Sequence, residues 1–124
     1  MTGTETKPKR YIALIYTDES REQSVSPEEQ QKIMAAYFQY TEDARKAGVY
    51  VAGDALEGTN LATTVRIRDG KRQTTDGPFA ETKEQLGGFY ILKCKDLDEA
   101  LEWAAKIPAS QYGSIEVRPL MEFE

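Results

Sequence analysis

Two segments of this 124-residue chain, residues 11–16 and 88–94, carry apolar side chains at both strand parities. In the first, Ile12, Leu14 and Tyr16 alternate with Tyr11, Ala13 and Ile15; in the second, Phe89 and Ile91 alternate with Tyr90 and Leu92. Successive side chains point to opposite faces of a sheet, so both faces of these strands must be kept from water. The chain has two amphipathic helices for that task. The first opens at Ser26-Pro27-Glu28-Glu29: Ser26 caps, Pro27 suits the first helical position and Glu29 completes a capping box. Its stripe is Ile33, Ala36, Tyr37, Tyr40, Ala44 and Ala47, and Gly48 supplies a left-handed C-terminal cap. The second follows Asp96-Leu97-Asp98-Glu99, presents Leu97, Ala100, Leu101 and Ala104, and stops at Pro108. Two helices cover one sheet face. The other face calls for a second subunit, and an obligate homodimer through it is expected.

The remaining elements fix the architecture. Residues 49–56 form a strand bent near Gly53, and residues 63–68 alternate Val65 and Ile67 with Arg66 and Arg68. Asp69-Gly70 is a two-residue hairpin turn that returns residues 71–75 antiparallel. Residues 114–120 close the domain, with Ile115 and Val117 inward and Glu116 and Arg118 outward. The order β-α-β, inserted hairpin, β-α-β predicts an α+β, ferredoxin-like protomer: an antiparallel sheet with both helices on one face. A single domain spans residues 10–124, after a disordered tail at residues 1–9.

Composition narrows the chemistry. Sixteen cations against 21 carboxylates leave a net charge of −5, which argues against a nucleic-acid partner. No apolar run approaches the ~20 residues of a membrane helix. The lone Cys94 precludes an internal disulfide and suits a reducing compartment, so a cytoplasmic location is expected. There is no histidine. A Ser-His-Asp triad, a Cys-His dyad and a histidine metal site are therefore impossible within one chain, and no metal or cofactor is expected. Acid–base chemistry is left to Asp, Glu, Lys, Tyr or Cys.

One connection concentrates turn residues and charge: residues 75–90, containing Asp76-Gly77-Pro78-Phe79, Glu81, Lys83, Glu84 and Gly87-Gly88. Its candidate catalytic groups are Asp76, Lys83 and Glu84, a carboxylate–ammonium cluster beside a rigid turn, expected to line a cleft. Phe79 would wall the pocket and Glu81 would bind ligand; Tyr16, Asp54, Arg66 and Arg118 are further candidate ligand contacts, the arginines as forks for anionic groups. Each has a plainer explanation. Asp76 can serve a turn, Phe79 can anchor in the core, the loop charges can be solvated, and Arg118 can pair with Glu116. Gly87-Gly88 precedes a strand rather than a helix, so it signals a bulge or close backbone approach instead of a phosphate loop.

The blocks Tyr11–Tyr16, Ala52-Gly53-Asp54-Ala55-Leu56, Thr64-Val65-Arg66, Asp76-Gly77-Pro78-Phe79-Ala80-Glu81-Thr82-Lys83-Glu84, Gly87-Gly88 and Glu116-Val117-Arg118-Pro119 resemble those of YCII-related proteins of the DGPF subgroup. The resemblance implies a dimeric α/β barrel and a family of largely undefined function. It also leaves two functions open: a small polar-molecule binding protein using carboxylate acid–base chemistry, or a non-catalytic interaction module associated with an extracytoplasmic-function sigma factor. Better-studied relatives carry a His–Asp pair suspected of catalysis. This chain has no His, and Ile107 precedes Pro108 where relatives often show Asp, so that pair does not transfer.

Overall fold

The computed structural model describes residues 7–123. Of the tail expected at residues 1–9, residues 1–6 lie outside the described residues, and β1 (Lys9–Thr17) already begins at Lys9. β1 is flanked by β5 (Gln85–Cys94) and β6 (Ser114–Pro119), and β2 (Tyr50–Ala55) pairs with the far side of β5. All three pairings are antiparallel, giving the order β2-β5-β1-β6. The two strands with apolar residues at both parities are thus the central pair.

One sheet face is dry. Tyr11, Ala13 and Ile15 of β1 and Tyr90, Leu92 and Cys94 of β5 are buried beneath α2 (Pro27–Lys46) and α3 (Leu97–Ala105), which contribute Tyr40, Ala44 and Ala100. The opposite parity, Ile12, Leu14, Tyr16, Phe89 and Ile91, is only half-buried. Ile115 and Val117 pack on the core side, as their alternation predicts.

Helix ends follow local chemistry. Ser26 Oγ accepts from the Glu29 N–H at 3.2 Å, although no return bond from the Glu29 side chain closes the box among the described residues. In α3 the reciprocal arrangement is made: Asp96 accepts from the Glu99 N–H at 2.9 Å, while Glu99 accepts from the Lys95 N–H at 2.7 Å. Gly48 ends α2 at φ +76°, a conformation in which a Cβ would be strained. The stripe expected on α2 needs correction. Tyr40 and Ala44 are buried and Ile33 and Tyr37 half-buried, but Ala36 and Ala47 are exposed. Only the C-terminal half of α2 is pressed onto the sheet; its N-terminal half leaves Met34 60% and Phe38 70% exposed.

Two further elements lie off the main sheet. A short helix the sequence reading lacks, α1 (Glu19–Gln23), follows β1 directly. The hairpin of β3 (Thr63–Arg68) and β4 (Lys71–Asp76) forms its own two-stranded sheet. Asp69 and Gly70 both have positive φ, 53° and 72°, as the type I′ turn requires. The β2–β5 register shifts between Tyr50 and Ala52, leaving Val51 without a partner two residues before Gly53.

Glycines mark close contacts within the sheet. The β1–β5 register shifts between Ile15 and Tyr16, and Gly87 is the residue left without a partner in β1, so the glycine pair does form a bulge. A Cβ on Gly88 would lie 2.9 Å from the Asp54 carbonyl, and one on Gly113 only 2.2 Å from the Tyr16 carbonyl, whereas one on Gly87 would meet nothing nearer than 3.8 Å. Backbone atoms cannot swing aside as a side chain can. Gly88→Ala and Gly113→Ala are therefore expected to cost about 1–3 kcal/mol or more each in urea unfolding, while Gly87→Ala stays near neutral.

Candidate functional site

Because α2 touches the sheet mainly through its C-terminal half, its other half stands off and leaves an open cleft of about 920 Å³. The floor is largely bare backbone and ring. Gly53, Gly87 and Gly88 lie along it beside Ile15 and Tyr90, and Gly53 is needed because any Cβ there would sit 2.6 Å from the Tyr90 ring. One wall is α2, with Ile33, Met34, Tyr37, Phe38, Thr41 and Arg45. The other is built by α1 and the segment after β2.

The polar end of the cleft grows out of β1. Thr17, 5% exposed, is the one buried polar residue among those described, and its hydroxyl donates to a Glu22 carboxylate oxygen. Asp18 N-caps α1, accepting from the Ser20 N–H and hydroxyl at 2.9 and 2.6 Å, and these bonds hold its carboxyl below the ordinary value. The cap aims α1 so that Glu19, Arg21 and Glu22 border the cavity. Glu19 is committed to structure: its carboxylate accepts from the Thr59 N–H at 2.9 Å and the Thr59 hydroxyl at 2.5 Å. Its own N–H donates to Gln85 Oε1 at 2.9 Å, and Gln85 Nε2 donates to the Thr82 carbonyl at 2.5 Å. Gln85 thereby ties the charged loop to the cleft wall.

Phenols complete this end. The Arg21 guanidinium lies 4.1 Å over the Tyr112 ring. Burial, then the neighbouring Tyr112, Tyr90 and Glu22, push the Tyr37 phenol well above its ordinary range. Tyr112 is also raised, chiefly by burial and then by Glu22, with Arg21 and a hydrogen bond with Tyr37 opposing. Both phenols thus stay protonated beside a carboxylate, one of the two protons being engaged in the hydrogen bond between them. At the far end Arg45 stacks 4.8 Å over Tyr50, and Thr41 and Tyr90 share a hydrogen bond of 3.1 Å between hydroxyls.

The residues singled out from sequence are spread more widely. Asp54, exposed near the end of β2, borders the cleft. Asp76 ends β4 and is exposed, as are Glu81 and Lys83; Glu84 is half-buried and accepts from the Ser114 hydroxyl at 2.8 Å. None of these four lines the 920 Å³ cleft in the single chain. Phe79 is 78% exposed, so it neither anchors in the core nor walls this cavity. Arg66 lies on the exposed hairpin, and Arg118 pairs with Glu116 on its own strand at 2.7 Å. Tyr16 is half-buried on the sheet face turned away from the helices. The turn itself is structural: Gly77 at φ +98° donates its N–H to the Ala62 carbonyl at 2.7 Å and accepts from the Thr64 hydroxyl at 2.8 Å.

Thr17, Glu22, Tyr37 and Tyr112 escape the sequence reading. Tyr37 sits in a helical stripe that looks like core, Thr17 is the polar last residue of β1, and Glu22 belongs to a short helix with no apolar repeat. Thr17-Asp18-Glu19-Ser20 was the available signal, an Asp N-cap followed by an acidic first turn.

Fold and cavity together define a small α+β domain, one antiparallel sheet carrying helices on one face and an open cleft between sheet and helix. Its sequence matches the YCII-related domain over residues 10–124. It is 41% identical over 112 residues to an uncharacterized protein of Rhizobium meliloti (strain 1021), an alignment covering 89% of this chain and 90% of that protein. The chain belongs to the YCII-related domain family.

Tyr40 gives this region a pH signature. Its hydroxyl donates to the Trp103 carbonyl at 2.9 Å, and burial lifts its phenol well above the usual value. Below the unfolded phenol value of about 10 both states hold the proton and nothing is lost. Above it the unfolded chain releases protons first, so stability should fall as pH rises past that point. Tyr40→Phe should flatten this alkaline loss in urea titrations, while costing about 1 kcal/mol at neutral pH through the missing hydrogen bond. Cys94, buried and pushed up to about 11 by burial first and then Glu99 and Asp96, should react with a thiol reagent at pH 8 only on unfolding.

Proposed function

We propose that this YCII-related domain binds a small molecule carrying both polar and apolar groups in the cleft between α2 and the sheet. The carrying observation is convergence at one end of a 920 Å³ cavity: a buried Thr17 hydroxyl, the Glu22 carboxylate and the Tyr37 and Tyr112 phenols. Pockets of this size, apolar over most of their walls with a few placed polar groups, are the usual form of small-molecule sites. A carboxylate facing protonated phenols is a base beside hydrogen-bond donors, the pairing that carboxylate proton transfer needs in a chain without histidine. In this reading Glu22 holds the role expected from sequence of Asp76, Lys83 and Glu84. That loop serves as the rim, tied in by Gln85.

The strand order β2-β5-β1-β6, with helices on one face, supports the ferredoxin-like reading of the protomer. The half-buried outer face of Ile12, Leu14, Tyr16, Phe89 and Ile91 supports the homodimer, since sheets pack face to face about 10 Å apart. The Asp76-Gly77-Pro78-Phe79 block supports placement in the DGPF subgroup.

Two measurements test these readings. A metabolite thermal-shift screen should find a compound that raises the melting temperature, and Glu22→Gln or Tyr37→Phe should weaken its binding by about tenfold or more. No stabilising compound, or full binding by both variants, would remove the cleft as the site. In sedimentation the native protein should be a dimer. Leu14→Asp, which puts a charge on the outer face, should abolish folding; a well-folded Leu14→Asp monomer would show that this face is not the interface.

A further inference from the structure

The β3–β4 hairpin is an amphipathic ribbon that its own chain leaves uncovered. Every residue of its two strands is exposed except Thr64, which is half-buried. Directly opposed residues share a face, so Val65 with Thr74 and Ile67 with Arg72 form one side, and Arg66 with Gln73 and Arg68 with Lys71 form the other. Val65 and Ile67 remain 59% and 60% exposed. The hydrogen bonds that fasten the ribbon's base are those of Gly77 to Ala62 and Thr64. A lone two-stranded hairpin is at best marginally stable in water, and here its apolar side lacks the cover that stabilises such a unit.

Charge indicates what supplies that cover. Within Thr63–Asp76 four cations face two carboxylates, a net +2, so the rest of the chain carries −7 of the total −5. A basic ribbon with an aliphatic face complements the acidic body of this same protein, whereas a nucleic acid or anionic membrane would have to accept that body as well. We infer that the β3–β4 ribbon is a dimerisation arm that lays its Val65–Ile67 face on a second copy of the chain. This extends the sheet-face dimer and rests on that reading. It also gives a role to the motif that the cleft leaves unused, because the arm carries Arg66 and Asp76 away from their own cleft and onto the second subunit.

The arm can be removed without disturbing its base. Thr64–Thr75 has the same ladder parity as Arg68–Lys71, the pair that flanks the present two-residue turn. Replacing residues 65–74 by Asp-Gly therefore recreates a short hairpin in register and keeps the bond from Thr64 to Gly77. We would measure dimer dissociation by sedimentation for the native chain, the shortened chain and Ile67→Asp, with amide exchange across residues 64–75 of the native chain. The expected result is a native dimer with slowed ribbon exchange, and dissociation constants raised at least roughly tenfold in both variants with their circular dichroism intact. If either variant unfolds, ribbon exchange in the native dimer decides: free exchange overturns the inference and slowed exchange upholds it. A native dimer whose ribbon exchanges freely and whose variants dimerise equally well would refute the arm but leave the sheet-face dimer standing. A native monomer would remove both, and ribbon protection appearing only with anionic vesicles would assign the ribbon to membranes instead.

Discussion

Tyr40 is the contact on which the arrangement of helices over sheet depends. Its ring meets Tyr90 of the central strand edge-on at 4.9 Å and Trp103 of α3 at 6.0 Å, and its hydroxyl donates to the Trp103 carbonyl. One side chain therefore joins both long helices to β5. Aromatic pairs of this geometry add ~0.5–1.5 kcal/mol beyond the area they bury. The consequence reaches past stability. Because the clamp sits in the C-terminal half of α2, the helix is fixed at one end and diverges from the sheet at the other, and that divergence is the cleft.

The floor of the cleft depends on the same clamp. Tyr90 lies flat over β2 only because residue 53 has no side chain, and β2 can approach β5 only because residue 88 has none. A larger residue at either place would lift a strand or a ring into the cavity. The glycines that signal a bend at residue 53 and a close backbone approach at residue 88 are thus spacing devices. Their shared effect is to set the depth of the space that Glu22, Tyr37 and Tyr112 face.

What could be read in advance followed from local, periodic signals. The central strands, the Ser26 and Asp96 caps, the Gly48 stop, the Asp69-Gly70 turn and the glycine bulge are each set by residues within a few positions, and all stand in the structure. The cleft could not be read this way. A helical stripe records which residues are apolar, not how far along its length a helix remains in contact, so Ala36 and Ala47 look like core and are exposed. The polar end joins Thr17, Glu22, Tyr37 and Tyr112 from four separate places in the chain, and only the tertiary fold brings them together. Conversely, residues 76–85 concentrate chemistry-bearing side chains for partly mundane reasons: Gly77 secures the base of a hairpin, Glu84 binds Ser114, and Gln85 anchors α1.

The lack of histidine shapes how such a site can work. Burial keeps the Tyr37 and Tyr112 phenols protonated, so they do not titrate where histidine would. A Glu22–Tyr37–Tyr112 site then offers a carboxylate as acceptor and a phenol as donor, the Tyr37–Tyr112 hydrogen bond engaging the other phenol proton. This suits holding a polarised oxygen next to a base. It also places the burden of specificity on shape. Thr17 is already satisfied by Glu22, and Arg21 and Arg45 are stacked on tyrosine rings. The apolar lip of Ile33, Met34 and Phe38 is then the part of the cleft best able to discriminate between ligands, and Met34 and Phe38 stay exposed in the single chain.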